Sequence, residues 1–228
     1  MILFILTLLI IASSLAPQLW VKYTLKKYGK TLPNMPGTGA ELARHLINRF
    51  ELQGTQLEKT TEGNDHFDPS TNTVRLSPSI FDGKSLTAIA VSTHEVGHAI
   101  QHNRNERIAQ LRKKYIPLSV MLQKLGVLIL ILLPIITGVL KSPVIFGLAI
   151  GLSLLLQIAA ALTYLIILPE EWDASFNKAL PILQQGEYVP EHYQPAIRKV
   201  LKAAALTYFA AALANVLNIG RWFMILRR

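Results

Sequence analysis

Leu118–Leu140, LSVMLQKLGVLILILLPIITGVL, and Val144–Leu168, VIFGLAIGLSLLLQIAAALTYLIIL, are separated only by Lys141-Ser142-Pro143. Each block is long enough for a hydrocarbon core that takes ~20 helical residues to cross. Gln123 and Lys124 are the only interruption of note in the first block, and Pro134 is predicted to bend it. Two apolar blocks on so short a connector predict a helical hairpin across a bilayer. Such a hairpin returns the chain to the side it left, so the residues before 118 and after 168 are expected to face each other in one compartment.

The composition agrees with a membrane chain. Of the 228 residues 51% are hydrophobic and only 16% charged, where an ordinary soluble domain carries about 25% charged residues. The net charge of +9 does not fall in an aromatic-interleaved basic patch, which argues against nucleic acid as a partner. Lysines and arginines flank the apolar blocks instead, as they do beside the negative cytoplasmic leaflet. There is no cysteine, so disulfides and thiolate metal sites are excluded.

Outward from the hairpin, Met1 to about Val21 is a further apolar block. Its basic residues (Lys22, Lys26, Lys27, Lys30) follow rather than precede it, which predicts a retained anchor rather than a cleaved signal peptide. Residues 22–116 form the long polar stretch. Leu42, Leu46, Ile47 and Phe50 predict an amphipathic helix over 40–52, and the turns at Gly63-Asn64-Asp65 and Asp68-Pro69-Ser70 predict two or three short strands. Ser85 is an N-cap candidate for a helix reaching about His102. Beyond the hairpin, 169–199 is polar and helical, and 200–228 is an Ala-rich apolar helix with Asn215, Asn218 and Arg221 that suits packing in a bundle. The expected organisation is therefore anchor 1–21, soluble region 22–116, hairpin 117–168, soluble segment 169–199 and membrane helix 200–228. The positive-inside bias puts both soluble parts in the cytoplasm. The fold class is mainly α: a multi-pass helical protein of the cell membrane with a cytosolic α+β portion that contains a small β-sheet and, at residues 94–98, the run HEVGH that makes it zincin-like.

Inside the 85–102 helix lies Thr93-His94-Glu95-Val96-Gly97-His98. Residues four apart project from one helix face, so His94 and His98 offer two imidazoles of a tetrahedral zinc site, with Glu95 beside the open position. That is the pattern of a zinc hydrolase in which Glu95 takes a proton from metal-bound water. The third ligand must come from the same side of the bilayer. Pro169-Glu170-Glu171-Trp172-Asp173-Ala174-Ser175 returns there, and its carboxylates Glu170 and Glu171 are placed at the expected start of a helix, whose N-terminus suits negative charge. His102 is one turn beyond His98, and a straight helix advances ~6 Å over that step, so one metal does not hold all three histidines. His102, His66 in the predicted sheet, Asp173 and His192 are candidates for supporting the ligands or contacting substrate; His45 is a helix-surface residue.

HEVGHAIQ, the upstream DHFDP (65–69) and the downstream LPEEWDAS (168–175) resemble the bacterial membrane-bound neutral zinc metallopeptidases, the YugP-type membrane proteases. The resemblance covers most of the chain. Glu171-Trp172-Asp173-Ala174 is more distantly similar to the Glu-aromatic-x-Ala motif of membrane zinc peptidases that process prenylated proteins or act in membrane stress. It implies that Glu171 rather than Glu170 is the third zinc ligand. Ser175 stands where those relatives carry Asp, so the resemblance leaves open what supports the ligands here. The expected function is a zinc-dependent endopeptidase acting on protein or peptide substrates at the lipid bilayer. The other readings are a membrane adaptor or chaperone with a structural zinc, and a zinc hydrolase of some other bond.

Overall fold

Helix α4, Leu86–Asn103, is the element around which the site-bearing part of the molecule is built. It is buried along its whole length from Leu86 to Gln101, as a helix must be when other elements cover it on all sides. Its start follows from sequence: Ser85 is extended, and its Oγ accepts a hydrogen bond from the Ala88 amide at 3.0 Å, satisfying one of the free amides of the first turn.

The computed structural model describes residues 2–216, so residue 1 and residues 217–228 of the expected anchor and last membrane helix lie outside the described residues. The chain forms two compact units. One comprises Leu19–Gln110 and Leu168–Thr207; the other comprises Leu111–Ile167 with residues 2–18, the greater part of helix α1 (Ile2–Tyr28), and residues 208–216.

In the first unit, α2 (Gly39–Arg49) begins with a capping box: the Glu41 amide donates to Thr38 Oγ1, and the Thr38 amide donates to Glu41 Oε2 at 2.8 Å. Its apolar stripe, Leu42, Ala43, Leu46 and Ile47, is buried in the core it shares with α4. Three strands follow, β1 (Gln56–Lys59), β2 (His66–Asp68) and β3 (Thr73–Leu76), in the order β1-β3-β2. β3 pairs parallel to β1 and antiparallel to β2, with Phe67 opposite Val74. The alternation of Val74 and Leu76, both fully buried, points one face of the sheet into the core. A short helix, α3 (Pro78–Phe81), leads to α4. Beyond residue 168 come a π-helical segment (Asp173–Ala179), α7 (Leu180–Gln185) and the start of α8 (Gln194–Val216), whose Leu183, Ile197 and Leu201 close the core.

The second unit contains α5 (Gln110–Leu140) and most of α6 (Pro143–Trp172). Both are long and apolar enough to cross a bilayer. Lys141 takes a left-handed φ of 46° in the connector, and Pro143 opens α6 at its first turn. The two helices approach closely at Gly126, where Ser153 Oγ donates to the Gly126 carbonyl at 2.7 Å and Gln157 Nε2 donates to Ser153 Oγ. Ser119 Oγ donates to the Ala160 carbonyl at 3.0 Å. Apolar side chains cover the outside: Ile131, Ile135 and Val139 on α5, and Val144, Leu148 and Leu155 on α6, are each more than 60% exposed. A soluble monomer rarely presents so large a contiguous apolar face to water.

One local expectation is corrected. Glu170 and Glu171 do not begin a helix; α6 runs through Pro169 and ends at Trp172. Proline removes one amide and one intrahelical bond but leaves φ helical, and an apolar helix of this length is held by the rest of its ladder. The favourable charge of a helix N-terminus therefore plays no part at these two residues.

Candidate metal centre

Three atoms from two distant parts of the sequence converge beside α4. His98 Nε2 is 3.2 Å from His94 Nε2 and 3.2 Å from Glu171 Oε2, and His94 Nε2 is 3.3 Å from that same oxygen. Zinc binds His nitrogen and carboxylate oxygen at about 2.0–2.1 Å in a tetrahedron, which sets neighbouring ligand atoms about 3.3–3.4 Å apart. The observed triangle has nearly those edges. All three side chains are buried, a costly arrangement for a carboxylate unless a cation or strong donors accompany it. The donor set of two imidazoles and a carboxylate thus fits zinc.

Proton bookkeeping on the far sides of both rings leads to the same conclusion. Ser175 Oγ lies 3.0 Å from the Leu201 carbonyl, which can only accept, so the single hydroxyl proton is donated there. His94 Nδ1, 2.9 Å from Ser175 Oγ, is then the donor in that contact. Gln101 Oε1 is 2.9 Å from His98 Nδ1, which again makes the ring nitrogen the donor. Both rings carry a proton on Nδ1, so Nε2 is the nitrogen that each turns toward the Glu171 carboxylate. Outer hydrogen bonds of this kind are how metal-ligating histidines are held in tautomer and orientation.

Glu95 sits with the two histidines in a buried group whose candidate ligand atoms all lie within 4.8 Å of one another. Its Oε2 accepts the Phe67 amide at 2.9 Å, so strand β2 fixes one carboxylate oxygen. Asp65, just before that strand, accepts the Ser77 amide at 2.6 Å and the Ser77 hydroxyl. Burial nevertheless raises its carboxyl above the ordinary range, and the charge of Glu95 adds to the shift.

Gly97 explains how α4 reaches the Glu171 segment. A Cβ there would stand 2.8 Å from the Ala174 carbonyl oxygen and 3.4 Å from the Ala174 Cα. Only glycine allows the helix to lie directly on the π-helical backbone. The wider π turn is common at functional sites, and here both Glu171 before it and Ser175 within it meet the ring of His94.

Of the other sequence candidates, Asp173 is joined to the triangle through Gln101, and the contacts of the remaining histidines are with other groups. His102 is half-buried with its ring 5.4 Å from that of Phe67. His66 Nδ1 bonds the Asn64 carbonyl at 2.8 Å in the turn before β2. His192 is exposed and stacks on Tyr193, and His45 Nε2 meets the Tyr188 hydroxyl at 2.7 Å. Asp173 accepts from Lys178, Asn177 and Gln101. The Glu170 side chain is buried, and its backbone carbonyl accepts from Gln101. Sequence reasoning missed Ser175 and Gln101 as partners of the histidines. For Gln101 a signal existed: it lies three residues after His98, on the same face of α4.

A family model described as "Putative neutral zinc metallopeptidase" matches residues 1–227. The chain is 35% identical over 226 residues to the "Putative membrane protease YugP" of Bacillus subtilis (strain 168), covering 99% of this chain and 96% of that protein. No solved structure matches.

Proposed function

The chain belongs to the "Putative neutral zinc metallopeptidase" family, and on that premise we propose that it is a zinc-dependent endopeptidase of the cell membrane. The observation that carries this reading is the triangle of His94 Nε2, His98 Nε2 and Glu171 Oε2 with edges of 3.2–3.3 Å. These three residues would hold the ion. Bound zinc supplies Lewis acidity, polarising a carbonyl and lowering the pKa of a coordinated water toward about 7.

The remaining work falls to the chain's own groups. Glu95, anchored through Oε2 by the Phe67 amide, accepts the proton of the attacking water and delivers it to the leaving amine. Ser175 and Gln101 hold the two imidazoles with Nδ1 protonated, which keeps the Nε2 lone pairs available. Burial of the site raises the strength of each of these polar interactions. The substrate class is protein or peptide.

The membrane placement rests on α5 and α6 as a hairpin, on the apolar anchor at 1–21 and on the apolar segment 200–228. The lysine- and arginine-rich flanks support a cytoplasmic location for 22–116 and 169–199, the segments that carry the site.

Glu95→Gln tests the mechanism. The amide keeps the shape and the zinc ligands, so purified variant protein should bind one zinc while hydrolysing a casein or peptide-library substrate about 10²–10⁴-fold more slowly. Wild-type rates in a zinc-loaded Glu95→Gln protein would overturn it. A protein that holds zinc tightly yet cleaves nothing in wild-type form would support the structural-zinc adaptor instead.

A further inference from the structure

Gln101 is fully buried, and its side chain hydrogen-bonds to the metal centre and its support. Its Nε2 donates to the Glu170 carbonyl at 3.0 Å and to Asp173 Oδ2 at 2.8 Å. Both of those oxygens only accept, so the amide orientation is fixed: its NH2 must face them, and its Oε1 must face His98 Nδ1 at 2.9 Å. The Asp173 carboxylate is itself held. Lys178 and Asn177 both donate to it, and Lys178 Nζ also pairs with Glu106 Oε2 at 2.8 Å. The Glu106 amide in turn donates to the Gln101 carbonyl at 3.0 Å, closing a ring of contacts from α4 to the π-helical segment and back.

We infer that Gln101 is a positioning residue that sets His98 as the Nδ1–H tautomer and, through the Glu170 carbonyl, holds the adjacent Glu171 in place against the same histidine. One amide thereby joins the two segments that supply the zinc ligands. This rests on the metallopeptidase reading only for the consequence on zinc; the tautomer is a property of the metal-free protein. The chemistry calls for an amide in particular. A carboxylate there accepts from His98 but has nothing to donate to Glu170 and meets the charge of Asp173. An apolar side chain of the same length does neither.

The test uses full-length protein in detergent, labelled with ¹⁵N at its six histidines and stripped with a chelator. Long-range ¹H–¹⁵N spectra at mildly alkaline pH report the tautomer of His98, assigned by its loss in His98→Gln. The wild type should show Nδ1–H. Gln101→Met should lose that fixed state, giving the Nε2–H form or a mixture, whereas Gln101→Glu, which keeps an acceptor in place, should restore it. A packing role alone would not separate Met from Glu in this way. Competition with a chelating dye should then give a zinc Kd about 10–100-fold weaker for Gln101→Met than for wild type. Persistence of Nδ1–H together with wild-type zinc affinity in Gln101→Met overturns the inference. If Gln101→Met does not fold, Gln101→Glu decides: Nδ1–H supports the assignment and Nε2–H sinks it. A wild type that takes up no zinc would remove the metallopeptidase reading, while the spectra would still decide the role of Gln101.

Discussion

At His94 the partner of Nδ1 is a hydroxyl, that of Ser175, and Leu201 explains how a hydroxyl can do this work. An isolated serine is an indifferent partner for an imidazole, because its proton can point either way. Here the Leu201 carbonyl takes the proton at 3.0 Å, and the serine oxygen is left as an acceptor at 2.9 Å from Nδ1. Ser175→Ala should therefore weaken zinc binding about 10–100-fold, measured by chelator competition. Ser175→Asp should fail to restore it, since a carboxylate would face the Leu201 carbonyl with no proton between them. Full recovery with Asp would show that the relay to Leu201 is immaterial. This detail was illegible in the sequence: Ser175 and Leu201 are partners only because α8 packs against the π-helical segment, a tertiary fact with no local signature. The histidines themselves were legible, because the i, i+4 spacing is a property of any helix that contains them.

Among the elements, α4 and the segment that follows α6 make the contact on which the site depends. α4 could be located from its cap and its apolar face, and the three strands from their turn residues. The continuation of α6 past Pro169 could not, because a proline ordinarily reads as a boundary. The π turn that follows it has no periodic pattern for a short stretch to display. Gly97→Ala probes the contact directly. Its Cβ would stand 2.8 Å from backbone at Ala174, which cannot rotate away, so the two elements must separate. Thermal or denaturant unfolding should show a loss of about 1–3 kcal/mol, accompanied by weaker zinc binding because Glu171 and Ser175 move with the displaced segment. Unchanged stability and affinity would mean that the contact is looser than it stands here. The β2–β3 pair offers a second test, through pH. Asp68 is held below the ordinary carboxyl range by the Ser70 hydroxyl and by Arg75, whose Nη1 lies 2.6 Å from it. A depressed folded-state pKa stabilises above the unfolded value of about 3.9 and loses that contribution as pH falls below it. The stability gap between wild type and Asp68→Asn, followed by denaturant titration, should be widest near neutral pH and close as the solution is acidified. A gap that does not change with pH would deny the shift.

For the molecule as a whole, the two apolar helices and the distribution of charge make one topological demand. The His94 and Glu171 segments are separated by the hairpin, so they can build a common centre only if the chain crosses the bilayer an even number of times between them. A hairpin of α5 and α6 satisfies this; a single crossing would leave one ligand on each side. The absence of native cysteine makes the demand directly measurable in cells. Ser142→Cys in the connector should react with a membrane-impermeant maleimide added from outside. Ser79→Cys in α3 and Asn177→Cys after α6 should react only once the membrane is opened. On the proposed topology Ser79 and Asn177 must behave alike, because they would flank the same pair of crossings. If both were labelled from outside while Ser142 stayed protected, the hairpin would survive and the cytoplasmic assignment would fall, and with it the class of substrate proteins the site can meet. If Ser79 and Asn177 differed, the hairpin itself would be wrong, and no arrangement of His94, His98 and Glu171 around one metal would remain possible in the membrane.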